Sequence, residues 1–463
     1  MTADARGAGA AAAAVADAGR TRSVARALSR RPHLVLAVVA TLVLLCELAT
    51  RETGSSFWMI VAALLAGGGF LLVWMAQDRL RLRQLLLVTF FFHVAWIGVH
   101  LHVDLTSLDS SDLYRVWGNE LLDGRYPESQ YPPGAVLLFA LDAWLGGGAT
   151  RTSHSLVMVP FQLVTVAAVW GLRTHLTPWL AALVALWPMN AFFWEFRFDL
   201  VPTAFLALGL LAAFRERWGL SGALLGLGAA VKWMPAVAFG LLAVWLLASG
   251  RRSASATHAL AFLAVFGLLH LPFLVWSPGE ATYAYRYFSD QGLTGESVWY
   301  VLLAPLGQAS VDMQAFWLPA DVPGWADPVA IALQALAMVA LLALAVRVRG
   351  DARAGIALAA LGPATFLLTN RVFSPQYLVL ILAAWAIAGA LALRTRREQL
   401  ALGVFAMAAT TANAFVYPYT LFQHGLWRAA SAALFVLGVA TTGWLAWRAG
   451  SEGLLRARRA RSG

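Results

Sequence analysis

The sequence predicts an all-α polytopic membrane protein, on three observations: 60% of its 463 residues are hydrophobic, only 13% are charged, and the mean hydropathy is +0.69. A chain with so little polar surface cannot cover a water-soluble core of this size. Apolar stretches fall at 33–50, 56–76, 84–103, 155–173, 177–195, 200–214, 218–232, 234–249, 257–276, 327–347, 354–370, 377–393, 399–416 and 427–447. Most approach the ~20 residues that a helix needs to cross a bilayer, which gives about 14 transmembrane helices. The domain organisation is a flexible basic cytoplasmic tail over 1–32, one transmembrane domain over 33–447, and a basic cytoplasmic tail over 448–463.

The formal charge of +10 is concentrated in clusters: Arg20 to Arg31, Arg79/Arg81/Arg83, Arg215/Arg217, Arg251/Arg252, Arg347/Arg349/Arg353, Arg394/Arg396/Arg397 and the tail after Arg448. In a membrane protein such clusters mark cytoplasmic loops, so the excess is an orientation signal and not a nucleic-acid surface. All of them fall on one side only if the apolar piece 135–145 does not span. At about 11 residues, and containing Asp142, it reads as an interfacial or re-entrant helix. Both termini are then cytoplasmic, and 104–154, 196–199, 277–326, 371–376 and 417–426 lie outside. Cys46, the only cysteine, sits in an apolar run, so no intrachain disulfide or thiolate cluster forms and no metal or cofactor is expected.

The outer segments hold the candidate site residues. In the loop 104–134, Leu113, Val116, Trp117 and Leu121 fall on one helical face, predicting an amphipathic helix on the outer membrane surface. Asp109 or Ser111 suits its N-cap. Either Asp109 or Asp112 at a membrane–water boundary also suits a general base, because partial burial raises a carboxylate toward working pH. Arg197 and Asp199 flank Phe198 at a helix junction, and are read either as an interfacial anchor or as a polar site facing a cavity. Lys232 ends a Gly/Ala-rich run with no neighbouring charge; a lone lysine at membrane depth needs a cavity or an anion. The segment 278–299 carries Tyr283, Tyr285, Arg286, Tyr287, Gln291 and Glu296, a mixture of rings and hydrogen-bonding groups suited to carbohydrate. Lys232, Arg286 and Arg371 are outward cations that together suit a phosphate. His93, His100 and His102 have no matching carboxylate set in sequence and read as packing residues.

These strings, in this order, resemble glycosyltransferase family 87, polytopic GT-C enzymes that include polyprenyl-phosphate-mannose-dependent α-mannosyltransferases of phosphatidylinositol-mannoside assembly. The resemblance rests on Asp112, Tyr114, Trp117, Gly124 and Tyr131-Pro132-Pro133; on Arg197-Phe198-Asp199 with Pro202; and on Lys232 with Pro235. It continues through Gly292, Leu293, Glu296, Ser297 and Trp299, then Ser374-Pro375-Gln376-Tyr377, and ends at Tyr417-Pro418. It implies a GT-C architecture and an inverting transfer of a hexose, with mannose favoured, from a polyprenyl-phosphate donor to a lipid or glycan acceptor. Taken with the outward cations Arg286 and Arg371, the candidate site is Asp112 or Asp109 as base, with Tyr131, Arg197, Asp199, Lys232, Arg286, Glu296, Arg371, Gln376 and Tyr377 as substrate-binding residues. One departure stands out: the family's aspartate commonly lies four residues before the tyrosine, where this chain has Ser110, so a two-residue shortening is needed to align Asp112.

An outward site independently calls for a lipid-linked donor, since nucleotide sugars are cytosolic. The expected location is the plasma membrane. Two readings from other classes compete. A lipid-linked-sugar flippase or other secondary transporter predicts repeated halves and midplane ionisable groups, and no repeat is seen. A non-catalytic scaffold of envelope assembly is favoured only by Ser110.

Overall fold

The computed structural model describes residues 31–102, 113–146, 150–312, 318–417 and 424–462. These residues are overwhelmingly helical, with two isolated β-bridges, Thr294 to Pro319 and Ser310 to Asp321. The order begins α1 (Pro32–Thr53), α2 (Phe57–Met75), α3 (Leu82–His102), α4 (Arg115–Leu122), α5 (Pro133–Gly146) and α6 (Thr150–Trp170). It continues through α7 (Thr177–Leu186), α8 (Ala191–Phe196), α9 (Leu200–Phe214), α10 (Trp218–Val231), α11 (Met234–Ala248) and α12 (Arg252–Trp276). The remainder is α13 (Pro278–Asp290), α14 (Val298–Leu303), α15 (Ala326–Arg347), α16 (Ala352–Thr369), α17 (Leu378–Ala392), α18 (Arg396–Val416) and α19 (His424–Ser462).

Among the described residues ten helices are long and apolar enough to cross a membrane, and α5, α7, α9, α10 and α11 are shorter apolar helices. The chain is therefore an all-α polytopic membrane protein. Its centre is α17, apolar all round and buried along its whole length, as a helix without a polar face must be. The periphery is α12 and α15, whose Leu260, Leu263, Leu268, Leu271, Leu336 and Val339 are exposed. In a bilayer those leucines meet lipid tails, an environment as apolar as the side chains themselves.

One local feature differs from the sequence expectation. The stretch 177–195 is broken into α7, a 3-10 turn at Pro188–Asn190, and α8, because proline supplies no N–H to continue the α-helical ladder. The basic segment after Arg448 continues α19 as far as Ser462. The expected surface helix is present as α4, with Leu113, Val116 and Leu122 exposed and Tyr114 and Gly118 buried. Gly118 lies so close to α5 that a Cβ would stand 2.2 Å from the Phe139 carbonyl oxygen, so only glycine fits there. Residues 1–30, and with them most of the N-terminal tail, lie outside the described residues.

Close backbone approach also fixes α10. A Cβ on Gly222 would meet the His258 carbonyl oxygen at 2.0 Å, and one on Gly226 would meet that of Phe262 at 2.7 Å. Two glycines four residues apart thus let α10 lie directly on α12, the small-residue packing available to helices in a membrane. This seating determines where α10 ends, and hence where Lys232 stands.

Candidate functional site

Helices α10 and α11 have 14 and 15 residues, so each extends only about 21–23 Å, short of the ~30 Å hydrocarbon core. Their junction is buried within the protein. Lys232 occupies it in extended conformation, its N–H bonded to the Gly228 carbonyl, and Pro235 opens the next helix. Gly134, at the start of α5, lies so near that a Cβ would meet the Ala230 carbonyl oxygen at 2.6 Å, which brings the Tyr131-Pro132-Pro133 turn against the same junction.

Asp199 enters from the N-terminus of α9, where the helix dipole favours a negative charge. Its Oδ1 accepts a 2.7 Å hydrogen bond from Lys232 Nζ, and both side chains are almost fully buried. Three rings surround the ammonium: Phe198 at 4.9 Å, Tyr377 at 5.0 Å and Tyr131 at 5.6 Å from Nζ to ring centre. Such faces attract a desolvated cation. The rings brace one another as well, Tyr131 standing edge-on to Phe198 at 4.7 Å. Asp199 Oδ2 is buried and has no hydrogen-bond partner among the described residues, leaving an acceptor for a ligand hydroxyl.

Arg197, half-buried, is within electrostatic range of Tyr417, Asp199, Glu296 and Tyr377. Glu296 precedes α14 in a segment tied to the 371–373 turn by the Thr294 N–H to Arg371 carbonyl bond at 3.0 Å. Burial pushes the Glu296 carboxyl up to about 8, although Arg197 opposes the shift. A neutral carboxyl donates a hydrogen bond and does not repel an incoming anion.

The structure thus brings together Tyr131, Arg197, Asp199, Lys232, Glu296 and Tyr377. Gln376 is buried one residue from Tyr377, and its Oε1 accepts from Ser374 Oγ at 2.5 Å, which shapes the turn into α17. Arg371 and Arg286 do not join Lys232. Arg371 donates to the Ser289 carbonyl at 2.7 Å and faces Asp327 at 3.8 Å, whereas Arg286 is exposed and donates to the Gly279 carbonyl. The expected cluster of three cations is replaced by Lys232 and Arg197 around one carboxylate. Asp109 and Asp112 lie outside the described residues.

Two buried pairs were not anticipated. Asp142 Oδ2 and His154 Nδ1 are 2.6 Å apart and fully buried, with the His154 ring 5.4 Å from that of Tyr114. Glu47 lies 3.1 Å from His100 Nε2 and 2.8 Å from Arg51, so His100 does have a carboxylate partner. Its distance of 53 positions along the chain conceals that pairing from local sequence. No group of three or more metal-ligating side chains converges among the described residues.

A buried lysine–aspartate pair under aromatic rings, with an arginine and a neutral carboxyl, forms a site that can hold a phosphate ester and hydroxyl groups together. No curated protein matches the chain. The family model of glycosyltransferase family 87 matches residues 130–375, a span that contains Tyr131, Arg197, Asp199, Lys232, Glu296 and Arg371, and most of the site just described. The chain is a multi-pass membrane glycosyltransferase belonging to glycosyltransferase family 87.

Proposed function

We propose that the protein transfers a hexose, mannose in preference, from a polyprenyl-phosphate donor to a lipid or glycan acceptor on the outer face of the plasma membrane, with both termini cytoplasmic. The buried Lys232–Asp199 pair at a helix junction carries this reading. A phosphate that must stay attached to a membrane lipid needs a cation at the edge of the hydrocarbon region, and a buried lysine between two short apolar helices suits that role.

In the reaction the acceptor oxygen attacks the anomeric carbon while the bond from that carbon to the phosphate oxygen breaks. The departing electron pair goes to the polyprenyl phosphate, whose growing negative charge Lys232 and Arg197 stabilise. The acceptor proton goes to Asp112 or Asp109. Asp199 Oδ2 holds a sugar hydroxyl, and Tyr131, Gln376 and Tyr377 shape the walls.

Glu296 gives this scheme a pH signature. Neutral below about pH 8, it donates a hydrogen bond to the phosphate or sugar; ionised above that, it repels the anion. The kcat/KM is therefore expected to fall as pH rises through about 8, and Glu296→Gln is expected to lose that alkaline limb. Identical alkaline limbs in the two proteins would remove Glu296 from this role.

The donor class is tested with purified protein in lipid nanodiscs, supplied with radiolabelled polyprenyl-phosphate mannose or with GDP-mannose and a crude membrane-lipid acceptor pool. Label is expected in a new product from the lipid-linked donor alone. Transfer from the nucleotide sugar without the lipid-linked one contradicts the proposal.

A further inference from the structure

A groove of about 620 Å³ lies between α15, α16 and α19, its lining including Ala337 and Ala340 of α15, Leu368 of α16, and Gly443 and Ala446 of α19. A Cβ on Gly443 would meet nothing within 4 Å, whereas one on Gly450 would stand 2.6 Å from Leu344 Cδ1. The helices α15 and α19 thus close on each other at Gly450 and leave space at Gly443. Apolar side chains stand exposed on both rims, Leu336 and Val339 on α15 and Val436 and Val439 on α19, so the groove opens toward lipid.

The groove has one charged end. Arg347, the exposed last residue of α15, lines it there together with Ser451, and no Asp or Glu is in the lining. Arg349 and Arg353 are exposed just beyond, while Glu452, beside Ser451, pairs with Arg394 and Arg448. Toward the other end Gln334 Nε2 donates to the Phe366 carbonyl at 2.8 Å, joining α15 to α16. The lining threonines Thr369 and Thr442 donate to carbonyls of their own helices, which leaves the wall chiefly apolar. The Gly350 N–H donates to Ser249 Oγ at 3.2 Å, and Ser249 caps the end of α11 remote from Lys232. The charged end of the groove and Lys232 are therefore separated by the length of α11, about 22 Å.

We propose that this groove binds an anionic phospholipid, with one acyl chain between α15 and α19 and the phosphate at Arg347. The ten residues from Ala337 to Arg347 rise about 15 Å, half of the ~30 Å hydrocarbon core, so the groove matches the chain depth of one leaflet. Charge complementarity selects the headgroup: a guanidinium gives a phosphate two parallel donors, and the neighbouring arginines add attraction for anionic lipid. Trp447, in the lining and exposed, supplies the indole common at headgroup level. The site is separate from the one at Lys232, and the inference does not depend on the transfer reading.

The test is native mass spectrometry of the full-length protein released from detergent with equimolar phosphatidylglycerol and phosphatidylcholine of matched chains. Phosphatidylglycerol is expected to be retained in preference, and Arg347→Gln to lower its retention about fivefold, the worth of one arginine beside anionic lipid. Gly443→Leu, which puts a side chain into the open groove, is expected to abolish that retention. Added phosphatidylglycerol is expected to raise the Tm of the parent protein and not that of Gly443→Leu. Arg347 is exposed, so its variant folds and decides the matter even where Gly443→Leu does not. Equal retention of the two lipids, indifference of phosphatidylglycerol to either substitution, or its displacement by polyprenyl phosphate would each overturn the proposal. A dimer mass that Gly443→Leu abolishes would show that a second copy covers the groove, and would overturn it as well.

Discussion

Replacing Lys232 with methionine is expected to lower transfer by ~10²–10³-fold, the range seen when one stabiliser of developing negative charge is removed. The same change leaves Asp199 as a buried carboxylate without its 2.7 Å partner, which costs about 3–5 kcal/mol of stability. Activity loss in that variant therefore mixes chemistry with folding. The double change Lys232→Met with Asp199→Asn separates the two, because it removes both buried charges at once. Thermal stability in detergent is expected to recover toward that of the parent protein, while transfer remains at the low level. Recovery of transfer along with stability would show that Lys232 serves only to neutralise Asp199.

Asp112→Asn is expected to lower kcat by ~10²–10⁴-fold, the usual contribution of a positioned general base, without loss of folded protein. One residue separates Asp112 from Tyr114, whose ring stacks on Phe139 at 4.3 Å and stands edge-on to Phe198 at 5.5 Å. Tyr114 thus belongs to the cluster of rings around Lys232. Asp109→Asn measured in parallel distinguishes the two candidates, since only the base should show a loss in kcat at saturating donor and acceptor. Full activity in both variants would remove the outer-loop carboxylates from the mechanism.

Lys232 and its partner Asp199 show how unevenly the sequence discloses the site. Lys232 is legible because a lysine at the end of an apolar run has no inexpensive explanation. Asp199 is legible as a polar residue at a helix junction, although its pairing with a lysine 33 positions away is a tertiary fact. The helices follow from hydropathy, down to α9 at 200–214, since a ~20-residue apolar stretch is a strong signal. Hydropathy says little about the interior of α7 and α8, where one proline divides a stretch that is apolar throughout.

What stayed hidden is what depends on partners far apart in the chain. The Asp142–His154 and Glu47–His100 pairs carry no motif, and an isolated histidine on an apolar face is ordinarily read as packing. Arg286, Arg371 and Lys232 are all cations on the same expected side. Sidedness does not give distance: Arg286 bonds the Gly279 carbonyl of its own helix, and Arg371 bonds the Ser289 carbonyl near the end of α13.

The most direct test is a cryo-electron microscopy structure of the protein in nanodiscs with polyprenyl phosphate, the leaving group of the proposed reaction. The account predicts the phosphate within hydrogen-bond reach of Lys232 Nζ, beneath Tyr131 and Tyr377, with the prenyl chain leaving toward lipid. A phosphate seated at Arg286 or Arg371, with Lys232 still closed on Asp199 alone, would contradict it.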